Sequence, residues 1–207
     1  MKLYLSSYRI PDLKKFSDFV GKEPAEIKMG LILNSKDYKP AAERLAKAEE
    51  LLKYFSGLGL QVEEIDLRDY VQDNSKLLEK FQEMDVIWLN GGNTFRLNWI
   101  ISEAKCENIL KQALKNGVVY GGDSAGAIIV GPTLKYYNSA DDPSVAEKII
   151  YKGLNFVDFA VLPHWGSVEY GAALEDIKRN LEKDNYKTIT LTDDEFLLIN
   201  DGKILNT

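Results

Sequence analysis

Val118-Val119-Tyr120-Gly121-Gly122-Asp123-Ser124-Ala125-Gly126-Ala127-Ile128-Ile129-Val130 is the stretch whose reading decides the fold. Its β-branched and aromatic start suits a strand. Gly122-Asp123-Ser124-Ala125-Gly126 then fits G-x-S-x-G, and the apolar run Ala127–Val130 follows as a helix lying against a sheet. A strand feeding a helix through a tight glycine turn is a unit of parallel α/β architecture. The same turn can lift a serine above the sheet, where bulky neighbours would collide with the flanking strand and helix. The helix would aim its first N–H groups at that spot, with the Ala125 N–H as donor to an oxyanion. The pattern fixes only three positions, and a turn that needs glycine merely for packing satisfies it equally well.

Outward from that stretch, short apolar segments alternate with longer amphipathic ones. Strands are expected at Lys2–Ser6, Ile27–Leu33, Val62–Leu67, Val86–Leu89, Phe159–Leu162 and Thr188–Leu191. Helices are expected at Asp12–Val20, Ala41–Gly57, Lys76–Phe81, Phe95–Asn116 and Ala172–Lys183. In the second of these, Ala42, Leu45, Ala46, Ala48, Leu51, Leu52 and Phe55 recur at three- and four-residue intervals. Phe196–Asn200 and Lys203–Leu205 form a closing hairpin about Asp201-Gly202. The alternation predicts a largely parallel sheet covered on both faces. No linker, repeat or low-complexity segment interrupts it, so residues 1–207 are expected to form one α/β domain.

In such sheets, sites form beyond the carboxyl ends of the strands. Three strands end there in polar loops, at 90–94, 121–127 and 163–166. The adjacent glycines of Asn90-Gly91-Gly92-Asn93-Thr94 allow close backbone approach, and the Gly92 N–H is the expected partner of the Ala125 N–H. A turn capped by Asn93 or Thr94 is the alternative. His164, the only histidine, ends a strand at the same edge and is the one imidazole able to serve Ser124 as base. For the orienting carboxylate, Thr192-Asp193-Asp194-Glu195 offers Asp193 first, with Asp194 and Glu195 as alternatives under a small register shift. Asp123 reads as a loop-capping carboxylate, and Asp141 and Asp142 are weaker candidates.

Composition narrows the rest. The chain has 207 residues, enough to bury roughly 70% of its unfolded surface in a core without staples. One cysteine, Cys106, excludes an internal disulfide and fits a reducing compartment, hence a cytoplasmic location; it reads as a small core residue. One Cys and one His cannot build a zinc site of the Cys/His kind, no spaced acidic loop of the EF-hand type is present, and no cofactor or metal is expected. A net charge of −6 without a basic stripe argues against nucleic acid. The first residues read as a strand, not a leader, and no apolar run approaches the about 18 residues of a membrane span. No heptad or exposed apolar face stands out, which leaves a monomer or a small homo-oligomer.

Gly-Gly-Asn-Thr-Phe at 91–95, Gly-x-Ser-Ala-Gly-Ala at 122–127 and Pro-His at 163–164, in that order, resemble the peptidase E family of dipeptidase E and cyanophycinase. The resemblance runs from the helix at 41–57 to the closing hairpin. It implies a three-layer sandwich like the class I glutamine amidotransferase domain, with serine where that superfamily has cysteine. It also implies hydrolysis of short peptides by a Ser-His-acid triad through an acyl-enzyme. Counted back from Asp201-Gly202, the family's acid falls on Asp193, where its best-known members carry glutamate. The family's dipeptidases favour an N-terminal aspartate, which implies an arginine near the pocket, but the segment after His164 has none until Arg179. Arg96, after the Gly-Gly-Asn-Thr loop, is another candidate anion contact, with Asn93 and Trp165 as further pocket candidates. Glu169 facing the pocket would repel an acidic substrate side chain. Two other readings keep the same residues: an esterase or amidase acting on a non-peptide acyl substrate, and a non-catalytic amidotransferase-like binding module.

Overall fold

Alternation along the strands sorts the side chains into two layers. In the computed structural model, which describes residues 1–205, Val86 and Trp88 of one strand pack into one core while Ile87 and Leu89 pack into the other. The strands are β1 (Lys2–Ser6), β2 (Lys28–Ile32), β3 (Gln61–Glu64), β4 (Val86–Leu89), β5 (Val119–Asp123), β6 (Phe159–Leu162), β7 (Lys187–Thr190), β8 (Phe196–Asn200) and β9 (Lys203–Leu205). The helices are α1 (Leu13–Val20), α2 (Ala41–Gly57), α3 (Leu77–Gln82), α4 (Thr94–Glu103), α5 (Cys106–Lys115), α6 (Ala125–Ile128) and α7 (Gly171–Lys183).

Seven strands form the main sheet in the order β3-β2-β4-β5-β1-β8-β9. Its first five members are mutually parallel, and the β8–β9 hairpin joins antiparallel at the β1 edge. Helices α1 and α2 cover one face through Phe16, Phe19, Leu51 and Phe55. Residues from α3 to α7 cover the other, among them Phe81, Leu97, Leu110, Ala127 and Ile177. The result is the expected three-layer α/β sandwich with a mostly parallel sheet.

The expected elements are nearly all present, and the departures have local causes. Strands β6 and β7 pair with each other as a separate two-stranded sheet. The helix expected over Phe95–Asn116 is two, because Lys105 turns left-handed (φ 50°) and the Ala104 carbonyl accepts from Asn74 Nδ2 at 2.9 Å. The segment after β3 is a 3-10 turn, Leu67–Tyr70, capped by Asp66. In α2 only Leu51 and Phe55 are buried and Leu45 is exposed, so its first half stands free of the core. At the hairpin, Asp201 (φ 48°) and Gly202 (φ 78°) take the paired positive φ of a type I′ turn. Cys106 is a packed core residue, and burial pushes its thiol up to about 12.

Candidate active site

Ser124 leaves β5 in a strained conformation, φ 49° and ψ −112°, and its neighbours explain how that is held. A Cβ on Gly126 would stand 1.9 Å from the Leu89 carbonyl oxygen, and one on Gly91 would stand 2.8 Å from Ser124 Cβ. Only glycine lets the turn sit against β4 and lets the 90–94 loop close over it. Gly121, paired with Trp88 across β4–β5, leaves room for the indole, whose Nε1 donates to Asp123 Oδ1 at 2.8 Å. The same carboxylate accepts from Asn90 Nδ2 at 2.8 Å and from the Gly91 N–H at 3.2 Å. Asp123 therefore ties the two glycine loops together, in keeping with its reading as a cap. Helix α6 has only four residues, so charge at the turn would meet its individual first N–H groups.

His164, which follows β6 after Pro163, also has positive φ, at 58°. Its Nε2 is 3.0 Å from Ser124 Oγ, and its Nδ1 is 2.7 Å from Asp193 Oδ1. Because a carboxylate only accepts, the neutral form of the ring would carry its proton on Nδ1 and leave the Nε2 lone pair toward the serine. The ring stacks on Tyr170, with centroids 5.3 Å apart. Asp193 lies in the loop from β7 to β8, where the alternatives are used differently. Glu195 Oε2 accepts from the Thr192 N–H at 2.7 Å and shapes the loop, and Asp194 is exposed. Neither the Gly92 nor the Ala125 N–H has a hydrogen-bond partner among the described residues.

Two recesses meet at Ser124 and His164. One, of about 390 Å³, is bordered by Tyr8, Arg9, Lys36, Asn90, Glu169 and Asp193 among others. The other, of about 180 Å³, is bordered by Tyr38, Gly92, Ile128, Tyr137, Asp141 and Leu174. Asp141 accepts from the Thr94 N–H at 2.9 Å, and burial pushes its carboxyl above the ordinary value. It stands beside the serine, not behind the imidazole, while Asp142 caps Ser144 at the surface.

Asn93, Arg96 and Trp165 are not brought into either recess. Asn93 caps α4, its Oδ1 accepting from the Arg96 N–H at 2.9 Å. Arg96 lies 4.3 Å from the Trp99 ring with Nη1 3.6 Å from Glu147, and Trp165 packs under Lys178. The arginine that does border the larger recess is Arg9, held by Glu50 at 2.7 Å and stacked 4.3 Å from the Tyr54 ring. Arg9, Ser7 and Lys36 belong to no motif. The one sequence signal they carry is position, just past the carboxyl ends of β1 and β2 on the edge where the three polar loops converge.

A hydroxyl, an imidazole and a carboxylate aligned at the carboxyl edge of a parallel sheet are the arrangement of a serine-type hydrolase. The profile of Peptidase family S51 matches residues 39–207, and the chain belongs to that family and is a serine-type peptidase. An uncharacterized peptidase of Listeria innocua is 30% identical over 74% of this chain and 72% of its own length. Peptidase E of a Nostoc species is 30% identical over 57% of this chain and 45% of its own. A crystal structure of a protein described as peptidase E from Listeria monocytogenes superposes with a TM-score of 0.81 at 22% identity, covering 99% of this chain and 96% of that one. The expected kinship with peptidase E is thereby borne out. No helix among the described residues is long and apolar enough to cross a membrane.

Proposed function

We propose that the chain hydrolyses short peptides through an acyl-enzyme on Ser124, with His164 as general base and Asp193 as its orienting acid. The observation that carries this reading is the line Ser124 Oγ, His164 Nε2, His164 Nδ1, Asp193 Oδ1, with successive contacts of 3.0 and 2.7 Å. His164 takes the Ser124 proton as Oγ attacks the scissile carbonyl carbon. The Gly92 and Ala125 N–H groups receive the oxyanion. His164 then protonates the leaving amine as the C–N bond breaks, and water, deprotonated by the same imidazole, releases the acid product and restores Ser124.

Recesses on either side of the serine suit residues flanking one scissile bond, and the smaller supports a dipeptide-sized substrate. Asp141, on the wall of that smaller recess, is a counter-charge for a peptide's free ammonium. The test is fluorophosphonate labelling with peptide mapping, alongside turnover of dipeptides and of matched esters. Stoichiometric modification of Ser124, abolished in Ser124→Ala and His164→Ala, is the expected result. A folded protein that resists labelling, or a Ser124→Ala variant with full activity, would overturn the reading.

A further inference from the structure

The ammonium of Lys36 has no part in the hydrolysis as drawn above, yet it sits against the loop that carries Gly92. Lys36 ends the 3-10 turn Asn34–Lys36 beyond β2. Its Nζ donates to the Gly91 carbonyl and, at 2.6 Å, to Asn90 Oδ1. Ser35 Oγ donates to the same Gly91 carbonyl at 2.9 Å. That carbonyl and the Gly92 N–H belong to one peptide unit. No peptide bond among the described residues is cis, so the two groups point in opposite directions across the unit. A donor that draws the carbonyl toward the β2 turn therefore aims the Gly92 N–H away from that turn.

We propose that Lys36 is a positioning residue for hydrolysis: by holding the Gly91 carbonyl, its ammonium aims and polarises the Gly92 N–H as an oxyanion donor. The inference rests on the reading of Gly92 given above. The loop's location does not require a cation, since Ser35 Oγ already binds the Gly91 carbonyl and the Asn93 N–H donates to the Ser35 carbonyl at 3.0 Å. What the ammonium adds is charge. A charged donor makes roughly twice as strong a hydrogen bond as a neutral one. Polarisation passes through the amide from C=O to N–H, most effectively in a low-dielectric site.

The charge is kept against a cost in lost hydration. Burial pushes Lys36 down to about 8, reinforced by Lys47 and Lys39 and opposed by Asp123 and Glu50. Asn90 bridges the two charges, its amide donating to the Asp123 carboxylate at 2.8 Å while its carbonyl accepts from Lys36.

The experiment measures kcat and KM for the wild type, Lys36→Met and Lys36→Arg from neutral pH to about pH 10, with melting curves on each. Removing an oxyanion donor outright costs about 100- to 1000-fold, so loss of its support in Lys36→Met is expected to lower kcat about 10- to 100-fold with KM little changed. Lys36→Arg is expected to recover a large part of kcat. In the wild type, kcat falls as pH rises through about 8 and Lys36 loses its proton, and neither variant has that limb. A folded Lys36→Met with wild-type kcat, or with the same alkaline limb, overturns the proposal. Should Lys36→Met not fold, an arginine variant that still loses kcat through the same pH range overturns it equally. Fluorophosphonate labelling of wild-type Ser124 separates the two failures: without labelling the hydrolase reading falls and this role with it, whereas labelling with kcat indifferent to Lys36 removes this role alone.

Discussion

Ser7 Oγ donates to Asp193 Oδ1 at 2.7 Å, joining residues 186 positions apart in the chain. The same hydroxyl accepts from the His164 backbone N–H at 2.6 Å. One side chain from the end of β1 thus fixes both the strained backbone of the proposed base and the carboxylate that faces its ring. A hydrogen bond to a charged group contributes about 1.5–3 kcal/mol, so Ser7→Ala is expected to lower kcat about tenfold or more with KM little altered. Steady-state kinetics on a dipeptide substrate check this. An unchanged kcat would show that Asp193 is held without Ser7.

Three adjacent carboxylates compete for one role, and the structure gives them different surroundings. Asp193→Asn keeps the shape but invites the wrong imidazole tautomer, and a loss of about 10⁴-fold in kcat is expected. Asp194→Asn should leave kcat unaltered, since among the described residues it is Asp193, equally exposed, that bonds the His164 ring and the Ser7 hydroxyl. Glu195→Gln weakens only the bond to the Thr192 N–H and should cost a few-fold at most. Parallel kcat measurements on the three variants decide the assignment, and a larger loss in Glu195→Gln than in Asp193→Asn would move the acid.

The parts legible from sequence are those whose cause is local. Strand and helix periods, the glycines that clear Leu89 and Ser124, and the single histidine at a strand end all follow from neighbours in the chain. What was not legible depends on strand order. β1 lies beside β5 and β8 in the sheet, and only that pairing brings Ser7 to His164 and Asp193. Lys36 is next to Gly91 because β2 neighbours β4. Both residues precede the segment that the family profile matches. Arg96 borders neither recess for a helical reason: it is the third residue of α4 and points to Trp99, on its own helix.

Gly126→Ala tests the packing that the turn requires. The added methyl would meet the Leu89 carbonyl, which belongs to the interior strand β4 and has little freedom to retreat. Overpacking of this kind costs about 1–3 kcal/mol or more. Urea denaturation should show that loss, and labelling at Ser124 should fall with it as the elbow shifts. Wild-type stability in this variant would mean that α6 moves off the sheet easily.

Arg96→Gln should leave hydrolysis as it is. The guanidinium packs on Trp99 and faces Glu147, outside both recesses. Equal KM values in wild type and variant, for dipeptides with acidic and with neutral side chains, are the expected outcome. A rise of about tenfold in KM confined to the acidic substrates would return Arg96 to the substrate.

Lys36 also makes a prediction about stability, whatever its role in turnover. Burial lowers its pKa from 10.5 to about 8. Between those two values the unfolded chain holds a proton that the folded chain has released, so stability rises with pH across the window. Below it the folded state carries the full penalty of a buried ammonium, and above it none, a difference on the order of 3 kcal/mol. Lys36→Met has no group to titrate there. Urea denaturation of both proteins near pH 7 and near pH 10 isolates the site, because every other titration cancels in the comparison. The wild type should gain on the variant between the two conditions. A gap that does not change with pH would mean that the ammonium keeps its water, and that the carbonyl of Gly91 is not held by a desolvated charge.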